Sequence, residues 1–380
     1  MRSKNTLSAI GRYAIAIPAM GAILLGGTHS AIAEAEPQFS IDALSAGVYS
    51  TYPSARSASF RSDGLQLMQL GEGTVALVDT SLATLGIATA IKADGVEISW
   101  TPRSNARGYT VVRDNVKVAD LGPGIGYYKD PTAVPGGTYQ YIITPTSLST
   151  GAHPVWGMKV TVPQAQAGES DADALSRLAE TQAAAAAAAS QTTVTWDTFI
   201  PQAKIDAPPA GCTYSGSGYQ YGGDNRSYDW TSSRYRTALN AVITWSTKQV
   251  DGYKAVGSTS VYNKSTGALV ATKTASTSNM EARKLGSGSN YVDIRLVNHA
   301  SNPFCSVGAI DGAISMKVTQ GGNWSIISGN HRQMPNHHIY IYNGGTVTDV
   351  YRRNYANALC LIGSATCPLA DLTGYYGSYS

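Results

Sequence analysis

Apolar and polar positions change rhythm several times along the 380-residue chain. From Tyr13 to Gly27 the run YAIAIPAMGAILLGG is apolar throughout, shorter than the ~20 residues of a membrane span. Residues 34–87 are rich in Ser, Gly and Ala without clear periodicity. Val75–Val78 is read there as one strand, and the rest as an extended or loosely packed lead-in. Period two then sets in. Val96-Glu-Ile-Ser-Trp100 alternates as a half-buried strand with Trp100 inward. Asp114-Asn115 makes a turn between Ala106–Arg113 and Val116–Ala119, and Pro135-Gly136-Gly137 feeds a strand from Tyr139 to Thr144.

The alternation breaks at 164–190. Ser170 stands where an N-cap is needed, Asp171 and Asp173 fall in the first turn, and alanines run to Ala189. These predict a helix roughly 30 Å long, acting as a semi-rigid spacer, with a low-complexity linker as the alternative. From Thr192 onward strands return: Ala241–Trp245, Ser258–Tyr262 and Ala268–Lys273 about a Lys264–Gly267 turn, Tyr291–Val297, Ala313–Val318 and Trp324–Ile327 about Gly321-Gly322-Asn323, and His338–Tyr342 and Thr346–Tyr351 about Asn343-Gly344-Gly345. The fold class expected is all-β: a β-sandwich, then a larger disulfide-bonded β-sandwich or jelly-roll-like domain, joined by the Ala-rich helix. The expected division is 1–33, 34–87, 88–163, 164–190 and 191–380.

The first of these segments changes the compartment. Arg2, Lys4 and Arg12 precede the apolar run, and Ala31-Ile32-Ala33 has the small-x-small form that signal peptidase accepts. Export is expected, with cleavage near Ala33 or Ala35, a secreted mature chain and no transmembrane segment in it. Charged residues are only 14% of the chain, and the formal charge of +3 belongs partly to that leader. No clustered basic face remains, which excludes nucleic acid as a partner.

Four cysteines, Cys212, Cys305, Cys360 and Cys367, lie in the C-terminal half. An even count in an exported chain predicts two disulfides. The simplest pairing is Cys212 with Cys305 and Cys360 with Cys367, although spacing does not fix connectivity. A zinc site is disfavoured because Cys-x-x-Cys pairs are missing. No cofactor and no metal are expected.

Three polar clusters carry the candidate chemistry. Asp224 and Arg226 follow two glycines in a tight loop, with Arg234 and Arg236 just beyond. Arginine forks suit anions or sugars, whereas a loop pinned by Asp–Arg pairing explains them equally. His331, His337 and His338 crowd one segment of a chain with 6 His, so metal binding or proton transfer is conceivable. Adjacent His337 and His338 should face opposite ways on a strand. The third cluster is Asp293, Arg295, His299 and Asp311. No Gly-x-Ser-x-Gly elbow nominates a serine nucleophile.

ISWTP (Ile98–Pro102), GYTVVRDN (Gly108–Asn115), Tyr128-x-Asp130 and PGGTYQYIIT (Pro135–Thr144) resemble a fibronectin type III domain over 88–163. The resemblance implies a two-sheet sandwich serving as a spacer or adhesion unit. Thr198–Pro201, Gly222–Arg226, Ser233–Thr237 and Pro335–Tyr340 resemble an uncharacterised family of exported bacterial domains over 195–345. That second resemblance implies a polar core of Asp224, Arg226, Arg236 and the His331–His338 loop, and carries no activity. The expectation is an extracellular binding protein whose partners are glycans or cell-surface components, contacted through Asp224, Arg226, Arg236, His331 and His338. The alternative is a secreted hydrolase or toxin-like enzyme using His331 or His337 with Asp224 and Arg226 or Arg236.

Overall fold

The alternating segments pair as antiparallel strands. The computed structural model describes residues 38–53, 64–146, 155–201, 212–214, 218–223, 233–274, 276–277, 279–301, 303–304, 309–332, 336–343, 346–354 and 370–371. A short helix α1 (Ile41–Ser45) is followed by β1 (Ser50–Thr51), β2 (Leu65–Gly71), β3 (Thr74–Asp79), β4 (Ile87–Lys92), β5 (Gly95–Trp100), β6 (Gly108–Arg113), β7 (Val116–Leu121), β8 (Tyr127–Asp130), β9 (Thr138–Thr146) and β10 (Val155–Thr161). After helix α2 (Asp171–Ala188) come β11 (Gln191–Pro201), β12 (Tyr219–Gly223), β13 (Ser233–Thr244), β14 (Gln249–Val256), β15 (Ser258–Asn263), β16 (Leu269–Thr274) and β17 (Ser276–Thr277). The chain ends through β18 (Glu281–Ser287), β19 (Tyr291–Ser301), β20 (Ala309–Thr319), β21 (Trp324–Arg332), β22 (Asn336–Asn343), β23 (Thr346–Asn354) and β24 (Ala370–Asp371).

These strands make an all-β molecule of four sheets. A six-stranded sheet runs β1-β2-β3-β4-β5-β8, and a ten-stranded sheet runs β17-β19-β20-β21-β10-β9-β6-β7 with β18 and β24 at its side. A five-stranded sheet runs β14-β13-β11-β22-β23, and β12-β15-β16 form a small fourth one. The ten-stranded sheet is the centre of the architecture because its two faces feed two different cores. Val111, Ile143 and Trp156 enter a core shared with Leu67, Leu77, Ile98 and Trp100 of the six-stranded sheet. Val112, Ile142 and Val155, each one residue away, enter a core shared with Val194, Trp196, Leu239 and Ile341 of the five-stranded sheet. Period-two alternation requires this split.

The two halves of the central sheet meet at a short seam. Val155 pairs with Ile326, Trp156 with Ser325 and Gly157 with Trp324. Gly157 is needed there, because a Cβ would lie 2.1 Å from Trp324 Cε2. The β20–β21 turn then ties the seam to its surroundings. Asn323 Oδ1 accepts from Lys159 N at 3.1 Å, and Asn323 Nδ2 donates to the carboxylate of Asp79. Gln320 Nε2 donates at 2.8 Å to the Ala186 carbonyl in the last turn of α2, which also accepts from Ala189 N–H at 3.1 Å.

Two expectations change on this evidence. The helix forms with Ser170 as N-cap, but it is not a projecting rod. Leu175 and Ala179 are buried in the first core, and alanine's small side chain lets the helix lie close to the strands beneath. Residues 65–79 are not a loose lead-in either. They form β2 and β3, and α1 docks on the outer side of their sheet through Ile41 N–H donating to Ser99 Oγ at 2.8 Å. The Asp114-Asn115 turn has φ of 50° and 65°, the left-handed pair a tight hairpin demands.

Candidate functional site

Strand register gives the expected site residues their places. Arg236 lies in β13 opposite Phe199, and His331 lies in β21 opposite Gly312. His337 and His338 occupy successive positions of β22, opposite Thr198 and Asp197. Asp197, which sequence reasoning passed over, is fully buried. Asp224, Arg226, Cys305, Cys360 and Cys367 lie outside the described residues, and Cys212 is buried beside Val261 and Phe304. The third cluster is spread along β19, where Asp293 faces Lys317, Arg295 faces Ser315 and His299 faces Asp311.

Lys317 leads to a site that the polar clusters did not nominate. Asp293, Lys317, Ser325 and Trp156 form one row across β19, β20, β21 and β10. The row begins in the first core at Trp156 and turns polar where the six-stranded sheet ends. There a cavity of about 490 Å³ opens, lined by Thr84, Leu85, Gly86, Thr101, Pro102, Arg103, Ser104, Ser325 and Ile327.

Each wall has a local reason for its position. The 3₁₀ turn Ala83–Leu85 ends on Gly86, whose φ of 76° is left-handed. Thr101 N–H donates to the Gly86 carbonyl at 2.8 Å, binding the two loops together. The second loop is anchored from below, since Arg103 N–H donates to Tyr109 Oη at 2.6 Å. Tyr109 is itself buried, with its ring 5.2 Å from that of Trp100. Burial pushes the Tyr109 phenol above its ordinary pKa, so it remains a neutral hydroxyl able to accept that bond. Arg103 is exposed and has no ion-pair partner among the described residues.

Behind the lining runs a polar row taken out of water, of which Ser325 reaches the cavity. Lys317 is only 4% exposed. Its Nζ donates to Thr84 Oγ1 at 2.7 Å and sits 3.6 Å from the centre of the Tyr291 ring, a cation–π distance. Burial pushes the ammonium below its usual pKa, and Asp293 opposes that shift. Burial likewise raises the Asp293 carboxyl, against the pull of Lys317. Asp293 Oδ1 and Ser325 Oγ are buried without a hydrogen-bond partner among the described residues. Buried polar atoms normally find one, so this row holds unused hydrogen-bonding capacity.

The lining combines four hydroxyl side chains with one guanidinium and three apolar side chains. Such a set can orient an oxygen-rich ligand and exclude water from part of it. No group of three or more His, Cys, Asp or Glu side chains gathers at metal-binding spacing among the described residues. Nor is any helix there long and apolar enough to cross a membrane. The chain matches none of the known protein-family models and none of the curated proteins with which it was compared.

Proposed function

We propose that this chain is an exported, non-enzymatic binding protein that recognises glycan at the cavity between Thr84–Gly86, Thr101–Ser104, Ser325 and Ile327. The observation carrying the proposal is the cavity itself, hydroxyl-rich and built on loops tied to a rigid double core. Ligand sites are concave, with a few placed polar groups among apolar ones. The scaffold fits the fibronectin type III-like reading of 88–163. Strands β4, β5 and β8 neighbour one another in one sheet, and β10, β9, β6 and β7 in the other, with Trp100, Tyr109 and Tyr141 buried between them. Export accords with the leader expected over residues 1–33.

The disulfide frame belongs to the same reading. Cys212 is buried beside Phe304, and Thr213 N–H donates to the Phe304 carbonyl at 2.7 Å, which supports a disulfide between Cys212 and Cys305. The test of function is binding of the mature chain to a panel of soluble oligosaccharides and cell-wall polysaccharides. A filled cavity in Thr101→Trp should abolish retention while leaving the melting temperature unchanged. Retention that survives the filling would sink the proposal.

A second reading, a secreted hydrolase, is favoured by one observation: register sets His338 opposite the buried Asp197. Turnover of an ester or glycoside panel that disappears in His338→Ala, with glycan retention intact, would establish it.

A further inference from the structure

Resting on the glycan reading, we infer that the ligand is acidic: the cavity seats an oxyanion, a carboxylate or a sulfate ester, carried on the sugar and gripped by Arg103. The inference follows from the polarity of the donors. Arg103 is the only charged residue among those lining the cavity. Its loop is held by its own backbone N–H on Tyr109, which leaves the exposed guanidinium uncommitted. Arginine presents a planar fork of N–H donors matched to carboxylates and sulfate-like anions.

The rear wall adds direction. An ammonium can only donate, so in the 2.7 Å contact between Lys317 Nζ and Thr84 Oγ1 the hydroxyl must be the acceptor. Its own hydrogen is left to donate elsewhere, and Thr84 lines the cavity. Ser325 also lines the cavity, although its Oγ is buried and has no partner among the described residues. The seat therefore offers a cation and an oriented donor, which favour an acceptor-rich, negatively charged group. Asp293 lies in register beyond Lys317 and is not among the lining residues; its charge offsets that of Lys317 and leaves Arg103 to set the sign. None of the described residues lining the cavity is aromatic, so they offer no stacking surface of the kind that suits a neutral pyranose face.

Calorimetric titration of the mature chain decides the matter, with trigalacturonate, a sulfated disaccharide, their neutral counterparts and inorganic sulfate as probes. At least one acidic oligosaccharide should bind tenfold or more tightly than its neutral counterpart, with affinity falling as salt rises. Arg103→Ala should remove that advantage and Arg103→Lys should restore part of it. Thr84→Val should weaken acidic ligands several-fold, and the melting temperature of Arg103→Ala should match the parent. Uronate or sulfate preference identifies which anion is carried. Equal binding of acidic and neutral oligosaccharides, unchanged by Arg103→Ala, overturns the oxyanion inference and leaves the glycan reading standing. Failure of every oligosaccharide overturns the glycan reading itself. Sulfate alone binding as tightly as the sulfated sugar overturns the requirement for a glycan carrier.

Discussion

The face of the central sheet that looks toward the six-stranded sheet has two halves, and they treat carboxylates in opposite ways. Under cover, next to Val111, Ile143 and Trp156, the buried carboxylate of Asp130 is saturated. It accepts from Arg113 Nη1 at 2.7 Å, from Thr132 N at 2.8 Å and from the Tyr141 hydroxyl. Burial pushes that carboxyl up, but the hydrogen bonds from Tyr141, Thr132 and Arg113 outweigh it and hold the pKa below its ordinary value. At the uncovered end, Asp293 has one oxygen without a partner and a raised pKa, and Ser325 is unpartnered. The contrast is between the two carboxylates alone, since Trp100 Nε1 and Trp156 Nε1 of the covered core are also buried without a partner among the described residues. One carboxylate has its burial offset by hydrogen bonds and the other does not.

The largest break in that comparison comes from the covered side. Trp156 is fully buried, so Trp156→Ala should cost about 3–5 kcal/mol, read as a lower denaturation midpoint. Asp130→Asn comes next. It should cost about 2–3 kcal/mol, below the range for a fully buried pair because the Arg113 side chain keeps 21% exposure. A depressed folded-state pKa contributes stability that is complete above the ordinary value of 3.8 and lost as the pH falls through the lower folded value. The parent should therefore lose stability below about pH 4, and the variant should lack that acid limb in melts from pH 2 to 7.

Asp293→Asn should differ in sign. A raised pKa gives a contribution that is complete below the ordinary value of 3.8 and lost as the pH climbs through the folded value. At pH 7 the variant should melt level with the parent or about 1–2 °C above it. A clear loss of stability there would erase the contrast between the two carboxylates. The smallest effect is expected at Ser325, the register neighbour of Trp156. Removing an unpartnered buried hydroxyl in Ser325→Ala should leave stability unchanged or raise it by up to about 1 kcal/mol. A drop of 2 kcal/mol or more would mean that the hydroxyl is satisfied after all.

Much of this arrangement is legible in the sequence where alternation or turn chemistry is clear. The Asp114-Asn115 turn and the Gly321-Gly322-Asn323 turn form where turn chemistry places them, and Val96–Trp100 forms a strand as its alternation predicts, although it is buried on both faces, Glu97 and Ser99 included, rather than half-buried. The segment Leu65-Gln-Leu-Met-Gln-Leu70 hides its strand because both sides are covered, by Leu67 and Leu77 within and by Phe39 and Ile41 without. Covering both faces with apolar side chains erases period two. Helix α2 hides its packing for another reason: alanine on every side gives no contrast between buried and exposed faces. The cavity was invisible because its walls come from three distant segments. Lys317 stands on the polar side of an alternating strand, but nothing local says that its ammonium will meet Thr84, 233 positions away. The polar clusters drew notice through residue type, whereas the cavity is made by topology.

The seam between β10 and β21 also sets an order of events. Lys159 and Asn323, joined across it, are 164 residues apart, and closing so long a loop comes late in folding. A chain that crosses a membrane unfolded and amino end first would complete the strands through β10 well before β21 arrives. In that interval Val155, Trp156 and Gly157 form an open edge, an invitation to mispair with another strand. The turn that carries Gln320 and Asn323 then acts as the closing step, since it delivers Trp324 onto Gly157 and fastens the end of α2 at once. Folding yield, more than equilibrium stability, is where a weakened seam would first be felt.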